Sequence, residues 1–248
     1  LHKSGEDMAF AQVKVVPIPW ARVSMQTNNS VAVWFSSLLF FVPFSGHIDT
    51  ITKALDSGVL LRYFLITIII WGMGEASITN FLFLHIKSLG GSSTLMGTAL
   101  SVSLIGEIIT FSIADRLQVK VGPQKMVLLS FIVLFTWLTG LSLIRNPGAI
   151  PFFQVFGGAG FALLQSGSVA YVNKRAPIEL GTTAQAIRGG IYSGFGVGIG
   201  TLVCGVMFER SGSVALYRNM SFIVLGGFAL GLYLYLKNRQ FDKEFPSE

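Results

Sequence analysis

Six apolar runs, each long enough to cross a lipid bilayer as a helix, dominate this sequence. They cover roughly residues 61–86, 95–114, 126–144, 149–172, 182–208 and 214–236. A transmembrane helix needs about 20 predominantly apolar residues, and its backbone polar groups must be satisfied within the segment. The gaps are short and carry charges, glycines or prolines, whereas a membrane β-barrel would show alternating segments of about 10 residues. The sequence therefore predicts an all-α membrane protein with six transmembrane helices.

The charge balance supports a membrane protein and gives its orientation. Only 12% of the residues are charged, whereas soluble domains carry about 25%. The net charge of +6 comes from scattered Lys and Arg with no basic block, which argues against nucleic-acid binding. If the first run starts in the cytoplasm, ten basic residues lie inside and four outside, as the positive-inside rule requires. We therefore expect a multi-pass protein with both ends of the six-helix unit in the cytoplasm, the plasma membrane being the favoured compartment.

The remainder of the chain is divided around this unit. Residues 1–59 are interpreted as a loop or linker, with a short apolar stretch at 31–44 that could enter the membrane. Residues 60–237 form the predicted six-helix unit, and residues 238–248 a cytoplasmic tail. Position 1 is Leu and no signal-peptide pattern follows, so the chain is interpreted as a piece of a longer one. The single cysteine, Cys204, excludes a disulfide framework within the chain.

The fifth run is rich in glycine. Two sets of glycines are spaced four residues apart, namely Gly190, Gly194 and Gly198 continued by Gly205, and Gly196 with Gly200. In lipid the hydrophobic effect does not drive helices together, and small residues allow the backbones to approach closely. The first set therefore predicts a helix face that packs tightly against a neighbouring helix. A dinucleotide-binding loop is excluded, because the stretch lacks the G-x-G-x-x-G spacing.

Ionisable side chains also lie inside the apolar runs. Glu75 is halfway along the first run, and Glu107 lies near the middle of the second. Because these runs are antiparallel, both carboxylates are expected at similar depth, within about one helical turn. Such residues mark substrate pathways or proton relays, although a structural polar clamp between helices is the alternative. The candidates for proton or substrate coupling are Glu75, Glu107, Arg188, Gln165, Gln185 and Asn80, with Arg188 and Gln165 as candidate partners of the carboxylates.

Catalysis and metal binding are not expected. His85, at the outer end of the first run, is expected to be interfacial or exposed, and the His and Cys spacing fits no metal site. The serines at 165–168 have no histidine in a span that could activate them. The sequence therefore predicts no enzyme activity, no metal and no cofactor.

Two stretches resemble the major facilitator superfamily. Residues 81–129, which include LGGSSTLMG, resemble its spans 7 to 9, most closely those of the eukaryotic orphan branch of major facilitator domain-containing proteins. That branch is related to lactose and nucleoside proton symporters. Residues 175–218 resemble the loop between helices 10 and 11 and helix 11, through Pro177 and the spaced glycines. Arg188 departs from this resemblance, since a small or apolar residue is expected there.

The same resemblance identifies an inner-loop gating motif in ADRLQVKVGPQK, between the second and third runs. Asp115, Arg116 and Lys125 match it by position, whereas the glycine that usually follows Asp-Arg is absent. In this resemblance Asp115 and Arg116 latch the inner side through charge pairs.

Members of this superfamily have twelve helices in two halves around a central path. The resemblance implies that this chain is the C-terminal half, with a missing N-terminal six-helix half as its partner. It further implies a proton-coupled secondary active carrier for a small polar solute such as a sugar or nucleoside. The alternatives are a receptor or scaffold that kept the fold and lost transport, or an inactive truncated product. A carrier should line one shared face with Glu75, Asn80, Glu107, Gln165 and Gln185, whereas a scaffold would scatter or pair them.

Overall fold

The computed structural model describes residues 59–176 and 181–244, with side chains at 64–176 and 181–237. The apolar stretch at 31–44, Pro177 and most of the predicted linker lie outside the described residues. The described elements are α1 (Val59–Ser88), α2 (Ser93–Val121), α3 (Pro123–Leu143), a 3-10 turn (Pro147–Ala149), α4 (Ile150–Arg175), α5 (Gly181–Gly190), a π-helical segment (Ile191–Ile199) and α6 (Gly200–Glu244). Helix α6 thus continues into the predicted tail.

Five helical stretches among the described residues are long and apolar enough to cross a membrane. They are Phe64–Ser88, Ser93–Val121, Pro123–Leu143, Pro147–Arg175 and Gly181–Lys237. The predicted helical membrane fold is confirmed, but the fifth and sixth predicted runs fall within one stretch of 57 residues. As a straight helix this stretch would extend about 85 Å, far beyond a hydrocarbon core of about 30 Å. Its backbone leaves helical geometry at Gly212, with φ 74° and ψ 175°.

The chain reverses direction at Gly212. Before this glycine the chain runs parallel to α1, as shown by the contact pairs Gly72–Gly196, Met73–Gly200 and Phe81–Phe208. After it the chain runs antiparallel to α1, as shown by the contact pairs His85–Ser213, Gly74–Val224 and Ile70–Gly227. We call residues 181–211 the outgoing arm and residues 213–237 the return arm. A glycine is needed at the reversal because its backbone conformation is essentially closed to other residues.

Helix α1 lies at the centre of the bundle, between the two arms. Helix α3 packs against the return arm on one side and α4 on the other, and α2 packs on α4. The interior is filled by large side chains with almost no exposure, among them Trp71, Phe131, Leu138, Leu164 and Tyr217. These contacts arrange the helices so that α1, α4 and the outgoing arm adjoin one another.

Helix α2 is the least enclosed of these elements. Only 11% of its apolar window is buried, against 50–56% for α1, α3 and the stretch containing α4. Its buried residues form one narrow stripe, consisting of Ala99, Gly106, Thr110 and Ala114. Much of its apolar surface, including Leu104 and Ile108, is therefore left without contact inside the described chain.

The close contact of the outgoing arm with α1 is made by the second glycine set. A Cβ added at Gly196 would lie 3.1 Å from the Cα of Gly72, and one at Gly200 would lie 2.6 Å from the Cα of Met73. A Cβ at Gly190 or Gly194 would meet no atom within 4 Å. The tight face predicted from Gly190 and Gly194 is thus displaced to Gly196 and Gly200.

The π-helical segment explains this displacement. Its i→i+5 hydrogen bonds add a residue to each turn, so a four-residue repeat that begins at Gly190 does not stay on one face. Gly198 is buried within this segment, while a Cβ at Gly205 would reach only the Phe81 ring, at 4.0 Å.

The predicted inner loop between the second and third runs is largely helical. Helix α2 continues to Val121, and only Gly122, with φ 86°, separates it from Pro123 at the start of α3. The helix persists because no glycine or proline occurs in this part of the sequence before Gly122, and proline suits the first position of the next helix. Asp115 and Arg116 therefore lie within α2.

Candidate functional site

Glu75 lies on the inner face of α1. The exposed apolar residues Ile66 and Leu84 are nine residues to either side of Glu75, which places them half a turn away around a helix. The Glu75 carboxylate is partly buried and accepts a hydrogen bond from the hydroxyl of Tyr192 in the π-helical segment. Thr79 lies one turn further along the same side of α1 and is exposed. Glu75 thus faces the outgoing arm and away from the outer apolar side of α1.

Glu107 lies where α2 and α4 approach most closely. A Cβ added at Gly158 of α4 would overlap the carbonyl oxygen of Ser103 and lie 2.5 Å from the backbone nitrogen of Glu107. Gly106 contacts the backbone of Val155 in the same way. The Glu107 side chain is partly buried. The close crossing of α2 with α4 therefore fixes the place of this carboxylate in the bundle.

Arg188 of α5 is surrounded by neutral oxygen atoms. Its Nε donates to Oε1 of Gln185 at 3.0 Å, and its Nη1 donates to Oε1 of Gln165 at 3.0 Å and Oγ of Ser168 at 3.1 Å. The Gln185 amide nitrogen donates to Oδ1 of Asn173 and to the carbonyl of Val169. This network joins α4 to the outgoing arm, and Arg188 pairs with Gln165 rather than with a carboxylate among the described residues.

These groups converge on one side of the bundle. Arg188 is four residues before Tyr192, so the backbones of these two residues lie about one turn apart. Gln165 is seven residues after Gly158, which puts it on the same side of α4, about 10 Å along the axis. The stretches 126–143 of α3 and 219–236 of the return arm contain no Asp, Glu, Lys, Arg or His. The intramembrane charges therefore come from α1, α2 and the outgoing arm, and α3 and the return arm supply none.

Asn80 stands apart from this cluster. Five residues separate it from Glu75, which corresponds to about 140° around α1. Its amide nitrogen donates to Oγ1 of Thr201 at 2.9 Å and to the carbonyl of Ala76 at 3.1 Å. Asn80 thus fixes α1 against the outgoing arm rather than facing Glu107.

His85 is fully buried, so the prediction of an interfacial or exposed side chain is wrong. Its Nδ1 lies 2.8 Å from Oγ of Ser213, and its ring meets that of Tyr217 edge-on, with centroids 5.0 Å apart. The reversal at Gly212 brings the start of the return arm over the end of α1 and thereby covers the imidazole. Within the described ranges, no group of three His, Cys, Asp or Glu residues could hold a metal ion.

Comparison with known proteins supports the resemblance at superfamily level. The sequence matches the MFS_1 like family over residues 15–219, which is most of its length. The chain belongs to this family, within the major facilitator superfamily. It is also 28% identical over 184 residues to the "Uncharacterized transporter YwbF" of Bacillus subtilis (strain 168), a match covering 73% of this chain and 45% of that protein. The chain therefore spans less than half the length of this curated relative.

Family membership and the apolar helices together make this a multi-pass integral membrane protein. The narrower resemblance to the eukaryotic orphan branch stays a prediction, as does the C-terminal position of the chain within a longer carrier.

The three residues that the resemblance assigned to an inner-loop motif are exposed. The side chains of Asp115 and Arg116 make no hydrogen bond or ion pair with any described residue. Lys125 is also exposed, with its Nζ 5.9 Å from the ring centroid of Tyr235. It lines an open groove that also includes Lys174 and Arg175. No latch between these three motif residues is formed within the part of the chain that the structure describes.

Sequence reasoning did not single out Tyr192 or Ser168. Each contacts a coupling candidate, Tyr192 at Glu75 and Ser168 at Arg188. A usable signal exists for Tyr192, because a tyrosine inside an apolar run needs a partner for its hydroxyl and stands four residues after Arg188. Serine is common at helix contacts in membranes, so Ser168 offers no comparable signal.

Proposed function

We propose that this chain is the C-terminal six-helix half of a secondary active carrier for a small polar solute, with transport coupled to protons. The observation that carries the proposal is the convergence of Glu75, Glu107 and Arg188 on one side of a bundle. The stretches 126–143 of α3, 150–173 of α4 and 219–236 of the return arm contain no charged residue. Because intramembrane charges are costly, they are kept where they face a substrate or ion pathway.

The reversal at Gly212 supports six crossings. Counted separately, the outgoing and return arms add two crossings to those of α1, α2, α3 and α4. Family membership supports pairing with a second six-helix half, since such carriers consist of repeated halves. The uncovered apolar surface of α2 gives that half a place to pack.

The two carboxylates provide a means of coupling. Like charges repel strongly in a low-dielectric region, and a proton bound by either Glu75 or Glu107 removes that repulsion. Tyr192, whose hydroxyl contacts Glu75, and Arg188, one turn away, are the other ionisable groups nearby. Exchange of the proton as this half rocks against its partner would link proton movement to solute movement.

Uptake into proteoliposomes tests the proposal. Sugars and nucleosides are offered, with and without an inward proton gradient, to this chain and to any longer protein that contains it. The variants are Glu75→Gln and Glu107→Gln, and the control is Glu209→Gln, which removes an exposed carboxylate. Gradient-driven uptake that is lost in one of the first two variants and kept in the control supports the carrier. Folded, membrane-inserted protein that moves no solute contradicts it.

A receptor or scaffold is the second candidate, and one observation favours it. Asn80, Gln165 and Gln185 are all hydrogen-bonded inside the protein, as expected of polar groups that hold helices together. In that case the glutamine variants at Glu75 and Glu107 change thermal stability, while neither these variants nor the original chain transports any solute.

A further inference from the structure

Arg188 is a cation without a counter-ion in the described part of the chain. Its three hydrogen-bond acceptors, on Gln185, Gln165 and Ser168, are uncharged. No carboxylate among the described residues is close enough to form an ion pair with it, and the guanidinium is only partly exposed. A partly desolvated cation is stabilised far better by an anion than by neutral oxygens, so the chemistry of Arg188 favours an anionic partner.

The guanidinium is nevertheless held in a fixed orientation. The Nη1 atom of Arg188 donates two hydrogen bonds and its Nε atom donates one. The Nη2 atom makes no hydrogen bond to a described residue and is not fully enclosed. Gln185 is itself oriented by bonds to Val169 and Asn173, so its carbonyl oxygen is presented to Arg188. Such an arrangement leaves one edge of a pre-oriented guanidinium free, and this group pairs with carboxylate or phosphate.

We infer that Arg188 binds the anionic group, a carboxylate or a phosphate, of the solute that the proposed carrier transports. This inference rests on the proposed function and narrows its substrate class. The free Nη2 edge of Arg188 makes the ionic contact with this anionic group. Gln165 and Ser168 of α4 hold the guanidinium in its orientation by accepting hydrogen bonds from Nη1. Neutral sugars and nucleosides, which the family resemblance implies, leave this cation unpaired, so their acidic derivatives are the better fit.

Binding is tested first, independently of transport. The purified chain in phospholipid-free detergent is heated with sodium acetate, sodium phosphate or sodium chloride at equal ionic strength, then with gluconate against glucose and uridine monophosphate against uridine. Acetate or phosphate, and one of the acidic partners, are expected to raise the unfolding midpoint above that of the chloride or neutral partner. Arg188→Gln should weaken the apparent affinity about tenfold or more, the scale of a lost hydrogen bond to a charged group. Arg218→Gln, which removes an exposed positive charge, should leave the affinity unchanged.

A second variant covers the case in which Arg188→Gln does not fold. Gln165→Glu places a carboxylate where the Gln165 oxygen accepts from Nη1, so the protein supplies its own counter-ion. This variant is expected to fold with stability equal to or above that of the original chain and to lose the response to anions. Retained anion binding in Gln165→Glu, or equal stabilisation by the acidic and neutral partners, overturns the inference.

Uptake measurements separate this inference from the carrier proposal. Transport of a neutral solute that is unaffected by Arg188→Gln leaves the carrier standing and overturns the anionic substrate. Arg188-dependent anion binding without uptake of any solute contradicts the carrier and with it the assignment of the anion as a substrate. If stabilisation requires added anionic phospholipid and no soluble anion produces it, the bound phosphate is a lipid headgroup and the inference fails.

Discussion

The glycine-rich outgoing arm allows helix packing to be tested with one methyl group. Gly190 and Gly200 both have helical backbone angles, with φ −64° and ψ −40° at Gly190 and φ −53° and ψ −45° at Gly200. An alanine at either position therefore changes helix propensity in the same direction, by up to about 1 kcal/mol in water. Their surroundings differ, because a Cβ at Gly190 meets no atom within 4 Å whereas one at Gly200 lies 2.6 Å from the Cα of Met73.

The comparison isolates the cost of crowding α1. The atom opposite Gly200 belongs to the backbone, so no side chain can rotate away, and the next neighbour, the Cβ of Ala76 at 2.9 Å, is equally rigid. Overpacking of this kind costs about 1–3 kcal/mol. In a domain of this size, each kcal/mol of lost stability lowers the unfolding midpoint by about 2–4 °C. The unfolding midpoint of Gly200→Ala should therefore lie about 2–12 °C below that of Gly190→Ala.

The single cysteine provides the assay. Cys204 is buried and is the sole cysteine in the sequence, so a thiol-reactive dye reports unfolding as the protein is heated in detergent. The two alanine variants are measured in parallel with the original chain. If Gly200→Ala unfolds at or above the temperature of Gly190→Ala, the close contact between the outgoing arm and α1 is refuted.

Three further predictions use the same unfolding measurement. Gly212→Ala should lower the free energy of unfolding by about 1–3 kcal/mol, since the backbone conformation at this position is closed to alanine. Gly226→Ala, in open space within a helix, is the control and should not lower it. Equal effects of the two substitutions would contradict the reversal at Gly212. His85→Ala should cost about 2–4 kcal/mol through the lost packing and the lost hydrogen bond to Ser213, with exposed Lys87→Ala as a control that should change little. Gly158→Ala should cost about 1–3 kcal/mol by forcing α2 from α4, and a cost no larger than that of Gly97→Ala, where space is open, would argue against that contact.

The helices could be predicted because each is encoded by its own stretch of sequence. Long apolar runs bounded by charges and breakers indicate helices, and Pro123 begins α3 as a proline at a gap should. Local reasoning failed at 115–121, where charged residues were taken as the end of the helix although no helix breaker occurs before Gly122. It also gave no indication of the π-helical segment at 191–199, which depends on how the outgoing arm fits against α1.

Side-chain environments were harder to predict because they depend on residues distant in the sequence. His85 is covered by Ser213, and Asn80 is paired with Thr201, across separations of 128 and 121 residues. Hydropathy gives the depth of these residues in the membrane but not the direction in which their side chains point. The polar residues inside the runs were therefore recognisable as candidates, whereas their partners, Tyr192 for Glu75, two glutamines for Arg188 and Thr201 for Asn80, required the packed structure.

The glycine contacts and the candidate site have a common origin in the backbone. Gly72, three residues before Glu75, contacts Gly196, which is four residues after Tyr192. This crossing of α1 with the outgoing arm therefore brings the Glu75 carboxylate and the Tyr192 hydroxyl together. Gly106 immediately precedes Glu107, whose backbone contacts Gly158 of α4. Each carboxylate is thus carried beside a point where two backbones approach without intervening side chains. Since a side chain at such a crossing would separate the helices, the glycines set the spacing of the charges, and an added methyl at Gly72 or Gly106 should disturb the site as well as the fold.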